Sequence, residues 1–151
     1  MKPILQALLL CEKVYIDTTG KAIIAGVFER WYFRLPKPDA SGNDALEPGT
    51  KVSKAVNEIQ DVGTPWVFIS LTDVKGPTKL ELRFEELTGS EVYFNAEIEV
   101  TCDDPLGSIK VGLPVPRLPN KAGDYILDLL HEDVSIGSHR VKIEEFFDAT
   151  S

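Results

Sequence analysis

Two neighbouring segments alternate so cleanly that they restrict the chain to strand structure. In Lys79-Leu80-Glu81-Leu82-Arg83-Phe84-Glu85 the even positions are apolar and the odd ones charged. From Glu91 to Cys102, Val92, Phe94, Ala96, Ile98, Val100 and Cys102 alternate with Glu91, Tyr93, Asn95, Glu97, Glu99 and Thr101. A period of two residues over this length means a strand with one dry and one wet face. Thr88-Gly89-Ser90 lies between them, a three-residue hairpin loop with a glycine free to take positive φ. The loop sets Phe84 opposite Phe94, Leu82 opposite Ala96 and Leu80 opposite Ile98. On the wet face it sets Lys79 against Glu99 and Glu85 against Tyr93, a register that keeps the apolar residues together.

Further strands follow from shorter runs. Residues 4–16 are apolar on both faces, as in a centrally buried strand, although their Leu, Ala, Glu and Lys content also suits a helix. Thr18-Thr19-Gly20-Lys21 turns the chain into a second strand, Ala22 to Phe33. Trp66 to Thr72 is a third apolar run, closed by turn residues Asp73 to Pro77. Ser108 to Leu113 is a short strand ended by Pro114, Pro116 and Pro119. Asp124 to His131 and Val134 to Glu144 flank a turn at Glu132-Asp133. Tyr125, just after Gly123, stands where a tyrosine corner sits in immunoglobulin-like domains, with Leu127 where antibody domains place a cysteine.

The predicted fold is all-β, an immunoglobulin-like two-sheet antiparallel sandwich of about eight strands formed by residues 1–151 as a single domain. The 43% hydrophobic content suffices for one core without disulfides or metal. One stretch differs in kind. Residues 34–63 carry Pro36, Pro38, Gly42, Pro48 and Gly49, then Val52, Ala55, Val56 and Ile59 at helical spacing. They are expected to form a long insertion carrying a short amphipathic helix that covers Trp31 and Phe33.

The chain resembles a family of small, uncharacterised bacterial β-sandwich proteins. The likeness rests on Ala7, Cys11, Val14 and Asp17, on Gly20-Lys21 and Gly26-Val27-Phe28, and on Gly123-Asp124-Tyr125 with Ile136-Gly137-Ser138. It implies an immunoglobulin-like sandwich in a bacterial cytoplasm and carries no activity or cofactor. Residues 34–63 look longer than that family's connection.

Charge and motifs point away from several functions. The net charge of −8 disfavours nucleic acid and anionic membrane as partners. Ile4 to Cys11 reads as a buried strand rather than an export signal, because Gln6 interrupts it and no small-residue cleavage site follows. Cys11 and Cys102 are then expected as free thiols in the cytoplasm. His131 and His139 lack metal-ligand spacing, and no nucleophile elbow or phosphate loop occurs. Asp17, Asp73, Asp103, Asp104 and Asp133 read as turn formers rather than calcium ligands. No catalytic residue, metal or cofactor is therefore expected.

The aromatics are the candidate binding residues. Trp31, Tyr32 and Phe33 are consecutive, so they cannot all face one core. Tyr93 falls on the charged phase of its strand. Trp31, Tyr32, Trp66 and Tyr93 are thus the residues expected to bind. The outward acids Glu81, Glu85, Glu97 and Glu99 read mainly as a solvated face. The expected role is a non-catalytic protein-interaction or scaffold module, binding a protein or itself. The alternatives are a small-ligand module of the carbohydrate-binding type, or an enzyme with an unrecognised site.

Overall fold

A computed structural model describes residues 2–33, 50–53, 65–89, 91–104, 106–115 and 118–145, with the backbone alone for 33 and 50–53. The described residues contain strands and no helix. In chain order the strands are β1 (Ile4–Cys11), β2 (Lys13–Ile16), β3 (Ala22–Ala25), β4 (Arg30–Phe33), β5 (Thr50–Ser53) and β6 (Trp66–Thr72). They continue with β7 (Thr78–Glu86), β8 (Val92–Val100), β9 (Ile109–Pro114), β10 (Gly123–His131) and β11 (Val134–Glu145). Three sheets result: β1-β6-β9, β4-β11-β10-β7-β8-β5 and the two-stranded β2-β3.

The alternating segments form β7 and β8 in the expected register, with Lys79, Leu80, Leu82 and Phe84 opposite Glu99, Ile98, Ala96 and Phe94. Beyond Phe84 the register shifts, and Glu85 meets Val92 rather than Tyr93. This β-bulge gives Tyr93 an unpaired place on the strand and turns its ring from the charged phase into the core, where it is buried. Gly89 takes φ +74° in the connecting loop. The last hairpin turns at Glu132 and Asp133, both at positive φ, as a two-residue primed turn requires.

Two expected strands are each split. Residues 4–16 break at Glu12, whose amide donates to the carbonyls of Ala25 and Gly26. Residues 22–33 break at Gly26, which holds φ +68° close against the Glu12 side chain. The pieces on the inner side of these breaks, β2 and β3, pair with each other as a hairpin.

Two further expectations are corrected. Residues Thr50–Ser53, including Val52 of the expected helix, are a strand paired parallel to β8 through Thr50 with Phe94 and Val52 with Ala96. A parallel neighbour completes the ladder of an edge strand, which local periodicity does not register. The rest of that expected helix, with Ala55, Val56 and Ile59, lies outside the described residues. At the opposite edge β4 also runs parallel, to β11, so the six-stranded sheet is antiparallel only through its four central strands.

One buried cluster joins the two larger sheets. Leu8 and Leu10 of β1 and Val67, Ile69 and Leu71 of β6 share it with Leu82 and Phe84 of β7, Phe94 of β8, Leu127 and Leu129 of β10 and Ile143 of β11. Phe84 stacks on Phe94 and on Tyr125, with ring centroids 5.4 Å apart in each pair. Tyr125 donates its hydroxyl to the Lys121 carbonyl at 2.7 Å, satisfying a polar tip inside this apolar layer.

A second cluster lies on the other face of the three-stranded sheet. It holds Cys11, Val14 and Phe68, with Ala7, Leu9, Ala22, Ile24 and Trp66 packed around them. The β2-β3 hairpin covers this face, which is why β1 is apolar on both sides. Gly112 permits the close approach, since a Cβ there would stand 2.7 Å from the Val14 Cγ1.

Candidate functional site

The hairpin that covers the three-stranded sheet also presents a pair of exposed apolar side chains on its outer face. Its turn is built by Asp17, whose Oδ1 accepts hydrogen bonds from the Thr19 amide at 2.8 Å, the Thr19 hydroxyl at 2.6 Å and the Lys21 amide at 2.9 Å. These donors, the Thr19 hydroxyl first, hold the exposed Asp17 carboxyl below its ordinary pKa of 3.8. Gly20 takes φ +85° at the same turn, and Lys110 ties the loop to β9 by donating to the Gly20 carbonyl at 3.4 Å.

Strand alternation then sorts the side chains. Val14 with Ile24, and Ala22, face the second cluster. Tyr15 and Ile23, directly opposite each other, face solvent at 54% and 62% exposure. Ile16 beside the turn is also exposed. Lys13 lies on the Tyr15 side of β2, with Nζ 4.2 Å from the Trp66 ring centroid and 5.7 Å from that of Tyr15. The ammonium and the two rings form a cation–π group at the edge of the patch. Scattered exposed apolar residues are ordinary, whereas Tyr15 and Ile23 are neighbours on one rung and their exposed surfaces adjoin.

The four aromatics singled out in the sequence are not brought together. Trp31 is partly buried against the main core and packs on Phe28 with ring centroids 5.0 Å apart. Tyr32, its neighbour on the strand, points to the other face and is 52% exposed. Trp66 is partly buried in the second cluster under Lys13. Tyr93 is buried, donates to Glu91 Oε2 at 2.9 Å, lies 3.3 Å from Glu86 Oε1 and meets Tyr125 edge-on at 5.5 Å. Burial first, then the Glu91 contact, holds the Tyr93 hydroxyl well above the ordinary 10.0. Phe33 carries no described side chain.

Tyr15 and Ile23 were missed because residues 4–16 and 22–33 read as two continuous strands apolar on both faces. Gly26 and Asp17-Thr18-Thr19-Gly20 mark the hairpin's two ends, and they were the available signal.

The reactive residue types are accounted for individually. Cys11 is buried, 3.6 Å from the Trp66 carbonyl, and burial pushes its thiol up. The partly buried Cys102 contacts the Asp104 carbonyl at 2.9 Å. Asp104 caps its own loop by accepting from the Leu106 amide at 3.0 Å. His139 Nε2 lies 3.0 Å from the Phe28 carbonyl. Among the described residues no three His, Cys, Asp or Glu side chains gather as a metal site would need, and no helix is long and apolar enough to cross a membrane. Compared with protein-family models and with curated proteins, the chain matches none.

Proposed function

We propose that this chain is a non-catalytic protein-interaction module that docks its partner on the outer face of the β2-β3 hairpin. The observation that carries this reading is the exposed Tyr15–Ile23 pair on a hairpin whose other face is already packed. Rigid aromatic and branched side chains bury much area for little entropy, so such a pair suits a contact centre. Lys13 stands beside Tyr15 and Lys110 reaches the hairpin turn at Gly20, which favours a partner with an apolar centre and acidic groups around it.

Its fold we propose to be an immunoglobulin-like sandwich in the bacterial cytoplasm, within the family it resembles. The strand order supports the chain path: β1-β6-β9 corresponds to strands A, B and E, and β11-β10-β7-β8 to G, F, C and an added C′. The Tyr125 hydroxyl bond to the Lys121 carbonyl has the form of a tyrosine corner at the start of strand F. The cytoplasmic setting is supported by two thiols, Cys11 and Cys102, that are free rather than bridged.

The test is affinity capture from native cells with the intact chain and with a Tyr15→Ser/Ile23→Ser variant. The reading expects one stoichiometric protein retained by the former and lost with the latter, while Lys79→Gln on the far sheet keeps it. A partner retained equally by all three, or none, contradicts the reading.

A further inference from the structure

A separate groove lies across the outer face of β10, β11 and β4, away from the hairpin. It is an open depression of about 630 Å³, and Glu29, Arg30, Leu87, Asp124, Arg140 and Lys142 are among the residues that line it. Backbone register explains the convergence. Lys142 sits directly opposite Arg30 of β4, and Arg140 lies two residues earlier on the same face of β11. Three cations therefore project from adjacent strand positions into one concavity, in a chain whose net charge is −8.

Their ion pairing is incomplete. Arg30 and Lys142 share one carboxylate, Glu144, at 3.9 and 3.8 Å, both beyond hydrogen-bond reach. Arg140 has no ion pair among the described residues, and neither Glu29 nor Asp124 comes within ion-pair distance of the three cations there. Elsewhere the protein closes its pairs tightly, Arg83 on Glu81 at 2.9 Å and Lys121 on Glu86 at 2.8 Å. The difference lies in distance: Glu144 stands beyond hydrogen-bond reach of Arg30 and Lys142, and Glu29 and Asp124 share the groove without closing a pair.

We infer that this groove binds a small polyvalent oxyanion, of the phosphoryl or polycarboxylate kind, between Arg30, Arg140 and Lys142. Two guanidinium groups offer planar paired donors that match oxyanion geometry, and Lys142 supplies a point charge between them. Ser138 adds a hydroxyl to the lining. Glu29 and Asp124 also line the groove, Asp124 directly across from Lys142 on β10; they repel a bulky polyanion such as nucleic acid and limit the ligand to one small enough to sit among the cations. Glu144 acts as the internal competitor, holding Arg30 and Lys142 loosely in place until an anion displaces it.

The experiment is calorimetric titration of the intact chain at low ionic strength, with inorganic pyrophosphate in one series and citrate in another. Backbone amide shifts are followed in parallel on isotope-labelled protein. The inference expects a dissociation constant on the order of 0.1–1 mM for at least one probe, with shifts centred on residues 138–142 and 30. Arg140→Gln and Lys142→Gln, both at exposed positions, should each weaken binding about ten-fold. Glu144→Gln should tighten it about three-fold by removing the competitor, a gain that a merely structural role for these residues would not produce. Lys79→Gln on the same sheet should change nothing. Pyrophosphate alone binding identifies a phosphoryl ligand, citrate alone a polycarboxylate, and both a general oxyanion site. No heat and no shifts with either probe up to about 10 mM, or equal binding by Arg140→Gln and Lys142→Gln, would overturn it.

Discussion

The two larger sheets share one core but treat their outer faces in opposite ways. On the six-stranded sheet the outer positions of β7 and β8 carry the charged residues Lys79, Glu81, Arg83, Glu85, Glu97 and Glu99, of which Lys79, Glu97 and Glu99 are exposed and the others partly so. Arg83 bridges to Glu81 there, which offsets the direct opposition of Glu81 and Glu97. On the three-stranded sheet the outer positions are Ala7, Leu9, Trp66 and Phe68, and the chain folds a hairpin over them. Covering an apolar face with two short strands moves the problem outward by one layer. The hairpin's own outer face, with Tyr15 and Ile23, becomes the exposed apolar surface. A charged face ends the packing, whereas a covered one leaves a further apolar face exposed.

Substitutions can break this contrast from either side. The largest loss is expected at the layer both sheets share: Phe94→Ala should cost about 3–5 kcal/mol in denaturant unfolding, the usual range for a buried phenylalanine. Next comes the contact that seats the hairpin. Gly112→Ala forces a Cβ to within 2.7 Å of Val14, and should cost about 1–3 kcal/mol. Val14→Ala in the same chain should recover part of that loss, since it removes the Cγ1 contact while the Val14 Cβ stays 3.0 Å away. If Gly112→Ala is neutral by itself, the hairpin does not lie where the comparison places it.

A smaller effect belongs to the polar rim of the common core. Tyr125→Phe removes the bond to the Lys121 carbonyl and should cost about 1 kcal/mol. The pH dependence has a definite sign. Tyr93 and Tyr125 both hold their protons above the ordinary 10.0, mainly through burial. Their contribution is therefore complete below pH 10 and is lost as the pH rises further, because the folded state keeps protons that the unfolded state releases. An alkaline titration should show the phenolate absorbance of these two rings appearing only as the fold is lost. Phenolate signal from all four tyrosines in a still-folded chain would contradict their burial.

Legibility in the sequence followed the same division. The β7–β8 register was readable from Lys79 to Phe84, because a half-wet strand writes its faces as alternation, and it failed at Glu85, where the bulge begins. Tyr93 on the charged phase read as an exposed contact residue, whereas the bulge buries it in the core. Residues 4–16 and 22–33 were not divisible by pattern, since Ala7 to Cys11 bury both faces and erase the alternation that would mark a break. The strand at Thr50–Ser53 and the parallel pairing of β4 depend on partners far along the chain, and no local signal carries them. Of the candidate contact residues, Tyr32 alone among the four aromatics is mostly exposed, and the Tyr15–Ile23 pair becomes visible only once the hairpin is known.

The central claim is that Tyr15 and Ile23 form a surface the fold does not need. Equilibrium unfolding of the Tyr15→Ser/Ile23→Ser variant tests it most directly. The stability should remain within about 0.5 kcal/mol of the parent chain, as for exposed positions. A loss of about 2 kcal/mol or more, the scale of buried apolar side chains, would place both residues in a core and remove the contact surface from the account.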